Sequence, residues 1–138
     1  MKTLTTHITD YDIKRLKDFL QKAQNWPQKD TELLNKLDSK LNEASVIAQK
    51  ETPPYLVTMN CHVRVTNLSG KKDMTFWLVY PNKAVLSDDK ISVASDIGMS
   101  ILGAKVGDKV EVTSKNKKTQ LLIAQIYYQP EVNKHFKL

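Results

Sequence analysis

The stretch Ile91-Ser92-Val93-Ala94-Ser95-Asp96-Ile97-Gly98-Met99-Ser100-Ile101-Leu102-Gly103-Ala104-Lys105-Val106-Gly107-Asp108-Lys109-Val110-Glu111-Val112 decides the fold. Ile91 and Val93 flank the polar Ser92, which is strand alternation. Asp96 then offers a side-chain oxygen to cap a short helix. Ile97, Ile101 and Leu102 give that helix one apolar face, and Gly103 is placed to stop it. Val106-Gly107-Asp108 supplies a tight turn, after which Val110 and Val112 alternate with charged residues in a new strand.

Upstream, Val63 and Val65 follow Met59 and Cys61 at a spacing of two, with Asn60, His62, Arg64 and Thr66 between them. This alternation predicts a half-buried strand with Cys61 inward and His62 outward. Asn67-Leu68-Ser69-Gly70 turns the chain. Thr75-Phe76-Trp77-Leu78-Val79-Tyr80 is apolar on both faces and predicts a central strand, ended by Pro81. Lys109 to Thr113 and Gln120 to Tyr128 predict a last hairpin. The pattern is a twisted antiparallel sheet with one short helix against it.

The N-terminal third is of another kind. Ile13, Leu16, Leu20 and Ala23 recur at helical spacing, after a start that Thr9 or Asp10 can cap. Asn25-Trp26-Pro27 breaks the run, because the residue before a proline is pushed out of the helical region. Asp30 is placed to cap a second helix, in which Leu34, Leu37, Leu41 and Ala44 repeat the same spacing. Two matched seams joined by a short polar loop predict an antiparallel helix hairpin of coiled-coil type. At about 14 residues each the helices make an arm of roughly 20 Å. Neither is long enough to be stable alone, so the seam must hold the pair. The double proline in Lys50-Glu51-Thr52-Pro53-Pro54-Tyr55 excludes regular helix and reads as a linker. The fold class is therefore α+β, divided into a helix-hairpin arm over residues 1–48 and a C-terminal domain over residues 49–138.

These segments carry a resemblance. The strand, short helix ending in Leu-x-Gly and Val-Gly-Asp-like turn resemble the C-terminal domain of the Gre transcript-cleavage factors (the GreA/GreB family). The match is closer to the Rnk branch, named as regulator of nucleoside diphosphate kinase. Val57-Thr58-Met59-Asn60, Asn67-Leu68-Ser69 with Leu78-Val79-Tyr80-Pro81, and Tyr128-Gln129-Pro130-Glu131 extend it. The resemblance implies an FKBP-like domain, with Val46-Ile47 returning from the arm into the domain sheet. It also implies a regulator of transcription whose partner is RNA polymerase, docked at the rim of the secondary channel. In the family an Asp-Ser-Pro segment makes that contact. Here the loop from Ser92 to Ile97 matches it, with Ala94, Ser95 and Asp96 at the motif positions. The serine is kept, the acid moves from first to third, and the proline is lost. Asp96 is then either a docking acid or only a helix cap.

The cleaving members also carry paired acids at the tip of a long coiled coil, which help to hold a second magnesium ion in the polymerase active site. This arm is shorter, and its tip holds Trp26, Pro27 and Lys29. Its nearby acids are Asp30, a natural cap, and Glu32, a first-turn acid that suits the helix dipole. The expected function is a non-catalytic regulator that competes with Gre-type factors without stimulating cleavage. Rival readings are a true cleavage factor acting through Asp30 and Glu32, a peptidyl-prolyl isomerase suggested by the FKBP-like fold, and a nucleic-acid-binding module.

Composition narrows these classes further. At 138 residues and 41% hydrophobic content the chain is an ordinary globular length and composition. No apolar run approaches the roughly 20 residues needed to cross a bilayer. The N-terminus lacks the apolar core of a signal peptide, and Cys61 is the single cysteine, so a cytoplasmic location is expected. The formal charge of +6 is spread, +2 over residues 1–50 and +4 over residues 51–138. Such a surface suits an acidic partner or simple solubility. Lys115, Lys117 and Lys118 lack interleaved aromatics, so direct nucleic-acid contact there is secondary. His7, His62 and His135 are scattered and no metal site is expected. With only four glycines there is no phosphate-cradling loop, and no cofactor or small-molecule substrate is indicated.

Overall fold

The computed structural model describes residues 6–26, 31–85, 88–114 and 116–136. Two helices, α1 (Asp10–Ala23) and α2 (Thr31–Glu43), pack on each other along the expected seams. Leu16, Leu20 and Ala23 face Leu34, Leu37 and Leu41, and all six are buried. Thr9 caps α1, its Oγ1 accepting a hydrogen bond of 3.0 Å from the Asp12 amide. The expected cap of α2, Asp30, lies outside the described residues, as do Pro27 and Lys29.

Two short strands bracket the helices. β1 (His7–Thr9) pairs in parallel with β2 (Ser45–Ile47). Thr9, one of the two expected caps of the first helix, also ends β1. Val46 and Ile47, expected in the domain sheet, belong to this separate two-stranded ribbon. The ribbon is tied to the rest through Gly103, whose carbonyl accepts from the His7 amide at 3.3 Å. Gly103 has a φ of +83°, and a Cβ there would sit 2.4 Å from the Thr6 side chain. Both the backbone conformation and the close approach require glycine.

The remaining strands are β3 (His62–Asn67), β4 (Lys72–Val79), β5 (Lys90–Ser92), β6 (Lys109–Ser114) and β7 (Lys117–Tyr128). They form one five-stranded sheet in the order β5-β4-β3-β7-β6. An antiparallel sheet was expected, but the β4–β5 pair is parallel, so the sheet is mixed. β5 is only three residues long and its partner lies across a connection, so no hairpin turn in the sequence marks the pairing. The apolar β4 lies inside the sheet between β5 and β3, as expected of a central strand, and the middle position belongs to β3. β3 is shorter than the alternation implied, because Met59, Asn60 and Cys61 form a buried turn with Asn60 at a φ of +64°.

One face of the sheet is covered by α3 (Asp96–Ile101) and lined by Val63, Val65, Phe76, Leu78, Val110, Val112, Leu121 and Ile123. These residues and the helix seam belong to a single hydrophobic core. Among the described residues no helix is long and apolar enough to cross a membrane.

Candidate functional site

The loop from β5 into α3 is built by serine chemistry. The Ser92 carbonyl accepts both the Ser95 hydroxyl at 2.6 Å and the Ser95 amide at 3.1 Å. Ser92 Oγ accepts from the Ala94 amide at 3.0 Å. Ser95 Oγ in turn accepts from the Gly98 amide at 3.1 Å, which makes Ser95 the helix cap. The expectation that Asp96 caps the helix is corrected. A serine one position earlier has the extended backbone that a cap needs, and Asp96 is already in the first helical turn. Gly98 lets the helix lie against β5, since a Cβ there would fall 2.1 Å from the Ser92 carbonyl oxygen.

Relieved of capping, the half-buried Asp96 carboxylate has no hydrogen-bond or ion-pair partner among the described residues. It stands on the rim of a cavity of about 430 Å³ between α3 and the sheet. Met74, Ile91, Ile97, Val112 and Leu121 make the apolar lining, and Asn67, Ser95, Asp96, Lys117 and Thr119 the polar edge. Three of the expected loop residues, Ser95, Asp96 and Ile97, therefore meet at one cavity, while Ser92 and Ala94 shape the turn behind it.

At the other expected site, Trp26 is 46% exposed and packs edge-on against Phe19 at 5.4 Å. Glu32 is exposed in the first turn of α2, with Lys36 at 3.4 Å one helical turn on. Lys29 and Asp30 lie outside the described residues.

A third constellation was not read from the sequence at all. It joins the helices to the sheet domain through buried polar groups. Asp12 is only 1% exposed, and its Oδ2 accepts from the Met59 amide at 3.1 Å. Burial pushes its pKa from 3.8 up to about 7, against the opposing Met59 hydrogen bond and the Arg15 charge. The Arg15 guanidinium lies 4.2 Å over the Tyr80 ring and 5.0 Å over the Tyr11 ring. Burial raises the Tyr80 pKa as well, with the Asp12 charge adding to it. Beyond the turn, the Thr58 hydroxyl donates to Glu131 at 2.7 Å and the Thr58 amide to Cys61 Sγ at 3.2 Å. Burial pushes the Cys61 thiol up to about 12, which fits the expected inert, structural thiol. On the far side, Lys40 of α2 donates to the Met99 carbonyl in α3, and burial lowers its pKa to about 8. Asp12 in a first helical turn looks in sequence like a dipole acid. The one available signal was its place beside the apolar Ile13 and Leu16 seam.

The profile of the family described as "Transcription elongation factor, GreA/GreB, C-term" matches residues 52–128, which include the α3 loop and every strand of the large sheet. The chain belongs to the GreA/GreB family. Among similar proteins, the regulator of nucleoside diphosphate kinase of Escherichia coli (strain K12) is 30% identical over 132 residues, covering 95% of each chain. The transcription elongation factor GreA of Christiangramia forsetii is 32% identical over 94 residues, 68% of this chain and 60% of that one. A solved structure, described as prokaryotic transcription elongation factor GreA/GreB from Nitrosomonas europaea, superposes with a TM-score of 0.70. It has 29% identity and covers 90% of this chain and 100% of that one. The similarity to the kinase regulator thus runs almost end to end, whereas the GreA match leaves 40% of that protein unpaired.

Proposed function

We propose that this chain is a non-catalytic transcription regulator that binds RNA polymerase at the secondary-channel entrance. Residues 49–138 form the docking domain and residues 1–48 the short arm. The observation that carries this reading is the α3 cavity with Asp96 on its rim, unpartnered among the described residues. A half-buried carboxylate beside an apolar surface gives a protein partner one charged anchor and one patch to cover. Ser95, Asp96 and Ile97 make the contact, Ser92 and Ala94 hold the loop, and the polymerase supplies a cationic side chain to Asp96.

The arm occupies the channel mouth and competes with longer Gre-type factors. Trp26 and Lys29 at the tip offer packing and positive charge, and the tip acids do not deliver a metal. Glu32 stands beside Lys36, and Asp30 is expected to cap its helix. Two facts support this over cleavage: the end-to-end similarity to a protein named as a regulator, and the partial overlap with GreA.

The test is capture of core polymerase by immobilised protein, with a Gre factor as competitor. Micromolar binding displaced by the competitor is expected. Absence of binding at tens of micromolar would contradict the reading.

A further inference from the structure

The face of the sheet away from α3 carries an aromatic platform that the proposed docking does not use, with His135 of the C-terminal segment against Tyr128 at its edge. His62 and Trp77, cross-strand neighbours on β3 and β4, stack with ring centres 4.4 Å apart and planes within 2°. β7 adds two tyrosines where a regular strand would add one. Its register against β3 slips between His62 and Val63, so that His62 lies opposite Tyr128 while Val63 lies opposite Ile126. Tyr127 is the extra residue of this bulge, and a bulge re-aims side chains. Both tyrosines reach the same group: Tyr127 lies 5.4 Å from His62, and Tyr128 lies 5.6 Å from Trp77. Tyr127 remains 49% exposed, and Thr75 and Gln125 beside the group are open to solvent.

Positive charge lies beside the aromatic group. Lys90 is in register with Trp77, and Arg64 lies two residues along β3 from His62. Neither has a carboxylate partner among the described residues. Arg64 Nε is buried without any hydrogen-bond partner there. The acids on the same face lie farther along the strands: Asp73, opposite Thr66, accepts from its hydroxyl at 2.6 Å and keeps its charge, and Glu111 lies 4.0 Å from Lys118.

We propose that this face binds single-stranded nucleic acid, with bases stacking on Tyr127 and the Trp77 group and phosphates meeting Arg64 and Lys90. Aromatic rings on a sheet face flanked by cations without a salt-bridge partner are what an unpaired strand needs, since every base has a stackable face and every linkage a negative charge. The residues come from four strands separated in sequence, which is why no local motif announced them.

The test uses the Trp26→Phe variant, in which Trp77 is the remaining tryptophan. It is titrated with a 15-nucleotide oligothymidylate and, separately, an oligouridylate, at 50 and 200 mM salt. Saturable quenching of Trp77 is expected at micromolar oligonucleotide, and the stronger of the two says whether DNA or RNA is preferred. Two phosphate contacts predict a loss of about seven-fold in affinity between those salt concentrations. Tyr127→Ala should weaken binding about ten-fold. Lys90→Gln, which removes the charge and keeps a polar side chain on the half-buried β5, should lower the salt slope by about 0.7. No quenching at 100 μM of either oligonucleotide would overturn the proposal. So would binding that ignores Tyr127→Ala and Lys90→Gln but is lost with Lys117→Gln and Lys118→Gln. If oligonucleotides fail to bind while Tyr127→Ala weakens polymerase capture, the face is a protein surface and the proposal is wrong.

Discussion

The junction between helices and sheet and the cavity under α3 treat polar groups in opposite ways. At the junction Asp12, Thr58 and Glu131 are buried and Lys40 is half-buried, and each is matched by a backbone group or a neighbouring side chain. At the cavity Asp96 is half-buried and unmatched among the described residues. Removing a partner from a buried polar group costs far more than the group contributes when matched. Asp12, Thr58, Glu131 and Lys40 are therefore explained by the fold itself, while Arg15 Nη1 and Tyr80 Oη, buried there without a hydrogen-bond partner among the described residues, belong to a cation–π contact. Asp96 is not so explained, and a carboxylate left over beside an apolar surface is where an outside partner gains the most. Burial of a charge alone does not mark a functional site; its lack of an internal partner is more informative.

That contrast predicts that stability changes concentrate in the helices and junction, and binding changes at the cavity. The largest stability effect belongs to the seam. Leu37 is fully buried between the helices, so Leu37→Ala should cost about 2–5 kcal/mol in urea unfolding. A change within experimental error would mean that the helices do not depend on this contact.

The second effect is pH-dependent. Asp12 binds its proton more tightly folded than unfolded, so its contribution to stability is fully present below the ordinary value of 3.8 and is lost as pH rises through about 7. The loss should be on the order of 2–4 kcal/mol. Glu131, raised in the same direction by burial, adds to it. Asp12→Asn keeps an oxygen for the Met59 amide and should flatten this part of the profile, so that the variant matches or exceeds wild type at pH 8. An unchanged slope between pH 4 and 7 would show that Asp12 is not the group responsible.

The smallest stability effect sharpens the contrast from the other side. Ser95 holds the cap, so Asp96→Asn should change unfolding free energy by no more than about 0.5 kcal/mol. Polymerase affinity should nevertheless fall, by about ten-fold at low salt, because a charge-assisted contact is lost. If stability drops and affinity does not, Asp96 serves the helix and the site is misplaced.

How much was legible in the sequence follows the range of the interactions. The seam residues Leu16, Leu20, Leu37 and Leu41 declare themselves through local period, and the β6–β7 hairpin through its short turn. The α3 loop was found, but its cap was put one residue late, since serine and aspartate cap equally well and only backbone angles separate Ser95 from Asp96. The parallel β4–β5 pair depends on residues joined by no tight turn, and three residues are too few to show a pattern. The burial of Asp12 depends on an amide at Met59, 47 positions away. The gathering of Trp77 with Tyr127 and Tyr128 depends on a bulge between strands, which alternation within one strand cannot show.

The most direct test of the central claim, that this protein binds the polymerase without catalysing, is transcript cleavage in backtracked elongation complexes. The arm of roughly 20 Å is short by its helix rise, and Glu32 is beside Lys36. Wild-type protein should give no cleavage above background and should suppress cleavage by an added Gre factor in proportion to its concentration. The double variant Asp30→Asn, Glu32→Gln should suppress nearly as well, because docking does not use those carboxylates. Cleavage by the wild type that disappears in the double variant would contradict the account.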